Sequence, residues 1–252
     1  MDAFPIVLFV VFGLVVVGGF WLRHHAHQRL VTSHQALVDR EPGLRATDTP
    51  CGFAASSLLR FAGIDRGDRR FGVRWGVEGP LGVRIAGRES GVNAAAFEWW
   101  CERRHRNKHG TSYTTRTVPV VLAELPVELP VDVTLGPESL LGRAGLTRAD
   151  QQVESTAFNR AFRVRSSDER LTLQLLDANL QTVLPRDFDG RTITISGRYV
   201  VMTGRPRHRD AQLDGVIGQL PAVRQDLQHL LAEVPAQFWR AVGADPHAGG
   251  HP

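Results

Sequence analysis

The sequence has almost no lysine, few cysteines and little net charge. Lys108 is the one lysine among 30 basic residues, so arginine supplies nearly all of the positive charge. The net charge is only +4, and acidic residues are spread along the same stretches as the arginines, which argues against nucleic acid as a partner. Cys51 and Cys101 are too few and too far apart to frame a disulfide scaffold or a CxxC metal site.

The short motifs that mark common enzymes are also absent. The chain has no GxSxG, HExxH, P-loop, dinucleotide-binding glycine fingerprint or EF-hand loop. We therefore expect no cofactor, no metal and no catalytic residue that can be named. Cys101 and His105 fall on one side of a predicted strand, and a metal shared between them is kept as an alternative to two separate structural roles.

A long apolar run opens the chain. Residues 3–22 carry no charge, and about 20 residues at about 1.5 Å each reach about 30 Å, the hydrocarbon thickness of a bilayer. This predicts a transmembrane helix rather than a cleaved signal peptide. Arg23 and Arg29 follow the run, so the positive-inside rule predicts a single-pass protein of the plasma (inner) membrane, with the N-terminus outside and the domain in the cytoplasm.

The rest of the chain divides by composition. Residues 23–51 read as a juxtamembrane helix and linker, 52–242 as one cytoplasmic domain, and 243–252 as a disordered tail. Period-two alternation in residues 94–105, followed by a glycine-containing loop and a Thr- and Val-rich run, predicts a β-hairpin. Pro119 is expected to place the second strand at an edge or a bulge.

Later segments predict further strands and two helices. Residues 153–167 read as a strand pair or bent strand, and 125–137 as too proline-rich for a central strand before Val131. Leucines at 3-4 spacing predict one amphipathic helix over 168–184, and a leucine-rich helix beginning near Pro221. A second hairpin is expected between these helices, with strands at 192–196 and 199–203.

These elements predict an α+β fold. We expect a mostly antiparallel sheet or partly closed barrel, similar to a pleckstrin-homology-like barrel, with two or three packed helices and the N-terminal transmembrane helix. From residue 112 onward the chain resembles a group of uncharacterised actinobacterial single-pass membrane proteins. The resemblance rests on the pattern TSYTT, then FNRAFRV over 158–164, then PxxxW with Pro235 and Trp239. It implies topology and domain boundaries, and no activity.

Two groups of residues are candidates for function. Arg103, Arg104, Arg106 and Lys108 concentrate positive charge at the tip of the first hairpin, where they could contact an anionic surface or simply be solvated. In the FNRAFRV segment, Asn159, Arg160 and Arg163 are predicted to make structural pairs, with ligand binding as the alternative.

The sequence favours a non-enzymatic function. We expect a membrane-anchored adaptor or binding module, whose partners are the lipid bilayer and its head groups or an unidentified protein. The alternative is a membrane-tethered enzyme of unrecognised type with its site in the mouth of the sheet. A deep pocket with convergent polar groups and perturbed ionisable residues would favour the enzyme, and a flat apolar patch would favour the adaptor.

Overall fold

A computed structural model describes residues 4–108, 110–137, 153–204 and 217–243, with the backbone alone over 4–11. The strands are β1 Arg45–Thr47, β2 Phe71–Ile85, β3 Arg88–Asn107, β4 Gly110–Pro137, β5 Phe162–Ser166 and β6 Thr192–Thr203. The helices are α1 Phe4–Arg40, α2 Ala55–Leu58, α3 Thr156–Ala161, α4 Glu169–Leu175, α5 Ala178–Asp187, α6 Leu220–Glu233 and α7 Ala236–Ala241. Short 3₁₀ turns lie at Pro50–Gly52 and Ile217–Gln219.

The six strands form one antiparallel sheet in the order β1-β2-β3-β4-β5, with β6 also paired to β4. The long strand β4 has β3 and then β5 on one side and β6 on the other. Over the described residues the sheet stays open, because β1 pairs only with β2 and β6 only with β4. The α+β class with a mostly antiparallel sheet is therefore confirmed, and the closed, pleckstrin-homology-like barrel is not what forms.

Side chains alternate across the sheet, so each strand serves two cores. On one side, here called the helix-covered face, residues such as Ala94, Ala96 and Val121 pack against α6 and its neighbours. On the other, here called the capped face, Ala95, Phe97 and other side chains lie beneath the segment 50–64. The leucine-rich helix predicted from Pro221 is α6, and its apolar side chains belong to the larger core.

The predicted transmembrane span over 3–22 is wrong. Among the residues that the structure describes, no helix is both long enough and apolar enough to cross a membrane. The single-pass topology and the plasma-membrane and cytoplasmic placement rested on that span and are corrected with it.

The C-terminal part of α1 packs on the domain. His34 Nε2 lies 3.1 Å from the Gly76 carbonyl oxygen, and the rings of His27 and His34 lie 5.9 and 5.7 Å from the Trp75 ring. Trp75 has a φ of +54° at a bulge in β2, which turns the ring toward α1. The segment 41–51, predicted as a linker, contains β1, which adds an edge strand to β2.

Capping residues explain two differences from the predicted elements. Ser155 accepts a hydrogen bond from the Phe158 amide at 3.2 Å, so the predicted strand over 153–167 begins with the helix α3 and becomes extended only at β5. Asp177 accepts from the Leu180 amide at 2.8 Å and starts a second helix, which divides the predicted helix 168–184 into α4 and α5.

Two differences in the sheet arise from strand pairing. The predicted hairpin over 192–203 is the single strand β6, because both of its halves pair with β4 and Gly197, with a φ of +55°, absorbs the bend between them. The proline-rich segment 125–137 is part of β4, and the pairing with β6 shifts register between Glu124 and Val133, around its prolines. Pro119, expected at an edge or bulge, lies just before β6 pairing begins at Val120.

Candidate functional site

The first hairpin extends well beyond the rest of the sheet. Pairing of β2 with β3 ends at Cys101, and pairing of β6 with β4 ends at Val120, whereas β3 and β4 remain paired to Asn107 and Gly110. From Arg103 to Asn107 and from Gly110 to Thr115, the two strands therefore pair only with each other. We call these residues, with Lys108 in the turn, the hairpin ribbon.

The two faces of the hairpin ribbon differ in charge. Arg104 and Arg106 lie on one face, where Tyr113 is the cross-strand partner of Arg104 and 43% of its surface is exposed. Neither arginine, nor Lys108 in the turn, has an ion-pair partner in the part of the chain that the structure describes. This face of the ribbon is positively charged and uncompensated.

The opposite face of the ribbon is partly neutralised. The Arg103 guanidinium forms an ion pair with the Asp65 carboxylate, and Arg116 lies 4.0 Å from the same group. His105 Nε2 is 2.7 Å from Thr114 Oγ1, so its ring is engaged within the ribbon. Arg103, predicted as part of the basic surface, is therefore the least available of the four candidate residues.

A rigid loop holds the base of the ribbon. The Trp99 indole N–H donates to the Asp65 carbonyl at 2.8 Å, and Asp65 Oδ1 accepts from the Gly67 amide at 3.0 Å. Gly67 has a φ of +66°, and a Cβ there would lie 2.7 Å from the Glu102 carbonyl oxygen, so this position needs glycine. The Arg104 amide donates to Asp68 at 2.8 Å, which fixes the loop to the ribbon.

A buried polar cluster lies on the capped face at the opposite end of the sheet. Glu78 is 3% exposed and accepts hydrogen bonds from Asn93 at 2.7 Å, Arg45 at 3.0 Å and the Cys51 amide at 3.1 Å. Burial alone would raise the pKa of Glu78, but these hydrogen bonds outweigh it and lower the pKa below its usual range. The carboxylate is thus stabilised in its charged form.

The Cys51 thiol beside this cluster is poorly suited to act as a nucleophile. Burial, together with the charges of Glu78 and Glu124, raises the pKa of the thiol to about 12. The thiolate is the reactive form of cysteine, so a thiol with this pKa remains protonated at neutral pH. Cys101 is buried, and burial also raises its pKa. At both cysteines burial outweighs the nearby arginines, so neither thiol is activated.

A charged cleft of about 340 Å³ lies between α5, α6, the end of β6 and Pro119 in the middle of β4. Arg186 donates two hydrogen bonds of 2.8 Å to Asp187, and His229 Nε2 lies 3.0 Å from Asp187 Oδ2. These contacts hold the pKa of Asp187 well below its usual range. Arg191 pairs with Asp226 at 2.5 Å. The cleft has the convergent polar groups expected of an enzyme, but they are paired with one another and join α5 and β6 to α6.

A shallow groove of about 630 Å³ lies between α4 and α7. Its lining residues come mainly from α4 and include Leu173, which is 48% exposed. With side chains mainly from a single helix and an exposed leucine, the groove resembles a surface patch more than a reaction site.

The structure separates the three candidates of the FNRAFRV segment. Asn159 donates from Nδ2 to the Val153 carbonyl at 2.7 Å and accepts from the Val153 amide at 3.2 Å, so it holds the chain entering α3. Arg160 is exposed, with no ion pair among the described residues, and Arg163 lies on β5 with its Nε buried and without a hydrogen-bond partner. The three side chains do not form one site, and their predicted structural pairing stays a prediction for the two arginines.

Side chains that could bind a metal ion do not form a cluster in the described regions. Over these residues no group of three or more His, Cys, Asp or Glu side chains is arranged to hold a metal ion. Sequence reasoning missed the cluster around Glu78 and the cleft at Asp187, since each draws its residues from segments that are distant in sequence. The cross-strand register that unites Glu78 with Asn93 and Cys51 has no local signal in the sequence.

Comparisons with known proteins give one match. No protein-family model matches the chain, and no curated protein matches it. Among solved structures, the crystal structure of the mycobacterial trehalose monomycolate transport factor A, TtfA, is similar at 13% sequence identity and a TM-score of 0.41. The match covers 83% of this chain and 96% of that one. This is a weak structural similarity.

Proposed function

We propose that the protein is a non-enzymatic binding module that contacts anionic lipid head groups through its hairpin ribbon. The observation that carries the proposal is that the ribbon leaves the sheet and presents Arg104, Arg106 and Lys108 with no ion-pair partner among the described residues. Surface arginines of globular domains commonly lie beside acidic residues, and here Arg103, Arg74 and Arg45 do so. Among the residues that the structure describes, the ribbon face groups three cations without such a partner within five residues, 104–108.

The expected attraction is moderate. Each Arg or Lys near an anionic leaflet contributes about 1 kcal/mol, so the three unpaired residues supply about 3 kcal/mol. Tyr113 on the same face adds an amphipathic ring of the kind that settles among head groups. Binding of this strength is reversible and orients the domain on the surface.

Projection of the ribbon makes this attraction effective. Salt screens charges beyond about 8 to 10 Å at physiological ionic strength. About five residues per strand extend past the sheet, and at about 3.3 Å per residue they place the turn roughly 15 Å beyond it. The charges can thus approach a surface while the bulk of the domain stays away from it.

The paired state of the other ionisable groups supports binding over catalysis. The Cys51 thiol has a pKa of about 12, and Asp187, which contacts His229, is already held by Arg186. A general base needs a free lone pair near a reacting group, and a nucleophile needs to be deprotonated. Neither requirement is met by these pairs.

Vesicle binding tests the proposal. The 252-residue chain is mixed with phosphatidylcholine vesicles that contain or lack phosphatidylglycerol, at low and high salt. We expect binding to rise with the anionic lipid, to fall with salt, and to drop by about 100-fold in the variant Arg104→Gln, Arg106→Gln, Lys108→Gln, since about 3 kcal/mol corresponds to about two factors of ten.

A matched control removes the same charge elsewhere. The variant Arg84→Gln, Arg165→Gln, Arg240→Gln loses three exposed arginines away from the ribbon and should bind almost as the parent protein does. Equal loss in both triple variants would indicate an effect of net charge alone and contradict a specific role of the ribbon. If binding does not depend on anionic lipid, the proposal of a lipid contact is wrong. An acidic protein would then be the remaining candidate partner of the ribbon, since the sequence analysis also allowed a protein partner.

A further inference from the structure

Three aromatic rings meet at one edge of the capped face. Phe53 follows the 3₁₀ turn at Pro50–Gly52, Phe61 follows α2, and Tyr199 belongs to β6. The ring centroids are 4.8 Å apart for Phe53 and Tyr199, 5.8 Å for Phe53 and Phe61, and 6.2 Å for Phe61 and Tyr199. The planes of the same three pairs are inclined by 74°, 89° and 66°, so the rings form the walls of a cage.

The Arg60 guanidinium occupies this cage. Its Cζ atom lies 4.7 Å from the Phe61 centroid, 4.8 Å from that of Phe53 and 5.3 Å from that of Tyr199. All three distances are within the range of about 6 Å in which a cation is attracted to a ring face. Arg60 is exposed and makes no ion pair within the described residues, so the rings are the partners that hold its charge.

The three rings lie at the margin of the smaller core, where Phe61 is a core residue and Phe53 and Tyr199 pack against it. Leu58, Phe61 and Ile64 attach the capping segment to the sheet and are at most 7% exposed. Phe53 and Tyr199 are only half-buried, and both keep ring surface available around Arg60. Two of the three rings around the guanidinium are thus partly exposed, and a ligand from solvent can reach them when Arg60 moves away.

We propose that the cage of Phe53, Phe61 and Tyr199 is a binding site for a small ligand that carries a trimethylammonium group, and that Arg60 is a tethered occupant which this ligand displaces. A trimethylammonium group has positive charge and no N–H, so it binds by contact with ring faces alone. Glu124, the cross-strand neighbour of Tyr199, forms an ion pair with Arg198 at 3.9 Å, so the ring faces supply the attraction for the ligand.

This site is separate from the hairpin ribbon. Tyr199 pairs with Glu124, which pairs with Asn93 in β3, and the ribbon begins at Arg103. Ten residues of extended strand separate these positions, or about 33 Å at about 3.3 Å per residue. The proposal therefore does not depend on contact between the ribbon and anionic lipid, and either proposal can fail while the other holds.

The test exploits the tethered occupant. Binding of choline to the 252-residue chain and to the Arg60→Ala variant is measured by NMR, from the upfield shift of the choline methyl protons near aromatic rings. We expect the variant to bind choline about five- to thirty-fold more tightly than the parent, because the competing guanidinium has been removed. Arg60→Lys restores a tethered cation and should return the affinity close to that of the parent.

Two controls separate cation recognition from simple burial. The alcohol 3,3-dimethylbutan-1-ol has the shape of choline without its charge and should bind the Arg60→Ala variant more weakly than choline does. Adding Phe53→Leu or, in a second variant, Tyr199→Leu to Arg60→Ala should abolish the gain while circular dichroism shows an unchanged fold. Phosphatidylcholine vesicles then distinguish the sources, since binding them assigns a lipid head group and binding only choline assigns a free compound.

Two results would overturn the proposal. An Arg60→Ala variant that folds and binds choline no better than the parent would show that the cage does not accept an external cation. Equal binding of choline and its neutral analogue would show an apolar pocket without cation selectivity. In either case the three rings would serve only to fix Arg60 on the surface.

Discussion

The helix-covered face of the sheet and its capped face are both buried, but different elements cover them. Helices α3 to α7 lie over the first, and their leucines, valines and aromatic residues join the strands in the larger of the two apolar clusters. The capped face is covered by a short segment, 50–64, with a four-residue helix and one 3₁₀ turn. The helices that cover the first face provide stability through the larger apolar cluster. The short segment over the capped face leaves room for polar groups and an accessible aromatic cage.

A buried carboxylate on each face shows the same contrast. Glu78 on the capped face receives three hydrogen bonds, and its pKa is lowered. Glu98 projects on the opposite face, is 7% exposed and has Arg74 at 4.0 Å as its ion-pair partner. Burial raises the pKa of Glu98 to about 6, against the smaller lowering effect of Arg74. Burial disfavours the charged form of both carboxylates, and only at Glu78 do hydrogen-bond donors outweigh it.

The largest effect is expected from the centre of the helix-covered face. Leu227 on α6 is fully buried in the larger cluster, and the long helix cannot collapse into the space that a truncated side chain leaves. Leu227→Ala should lower the free energy of unfolding by about 4 to 5 kcal/mol, the upper part of the range for such substitutions. Urea denaturation measures it, with the exposed Leu173→Ala as a control that should cost under about 0.5 kcal/mol.

The matching substitution on the capped face should lower the free energy of unfolding by a smaller amount. Leu58 is also fully buried, but it lies on a four-residue helix that can shift toward the sheet. We expect Leu58→Ala to cost about 2 to 3 kcal/mol, because the cost of a cavity falls as the surroundings relax into it. A cost equal to that of Leu227→Ala in the same denaturation series would contradict the distinction between the two faces.

Sequence patterns predicted those structural elements of the two faces that depend on local periodicity. The hairpin of β3 and β4 and the helix α6 were found because alternation and 3-4 spacing are local properties. The pairing of both halves of β6 with β4 was missed, because no residue near Gly197 encodes its distant partner. Hydropathy alone gave the wrong result for 3–22, and side chains from segments as distant as Phe53 and Tyr199 form a site only in the folded chain.

The next largest effect is expected at Glu78. Glu78→Gln keeps the shape but removes the charge that orients Arg45, Asn93 and the Cys51 amide. We expect a loss of about 2 kcal/mol at pH 7, since hydrogen bonds to charged groups are worth about 1.5 to 3 kcal/mol. Because the folded pKa is lowered, this stability is present above the unfolded pKa near 4.5 and disappears as the pH falls through the folded value. Parent and variant should therefore converge in acid.

The smallest effect is expected at Glu98 and has the opposite sign. The folded pKa of about 6 exceeds the unfolded value of 4.5, so the folded state binds the proton more tightly and stability is lost as the pH rises from 4.5 through 6. A pKa shift of this size corresponds to at most about 2 kcal/mol in the free energy of unfolding. The cost of burying the Gln amide offsets part of that gain. Glu98→Gln should therefore stabilise the protein by about 1 kcal/mol at pH 8 and have little effect at pH 4.5. Chemical denaturation at both pH values measures the difference. A variant destabilised at pH 8 would show that the Arg74 pair outweighs the burial of Glu98, and would make the two carboxylates alike.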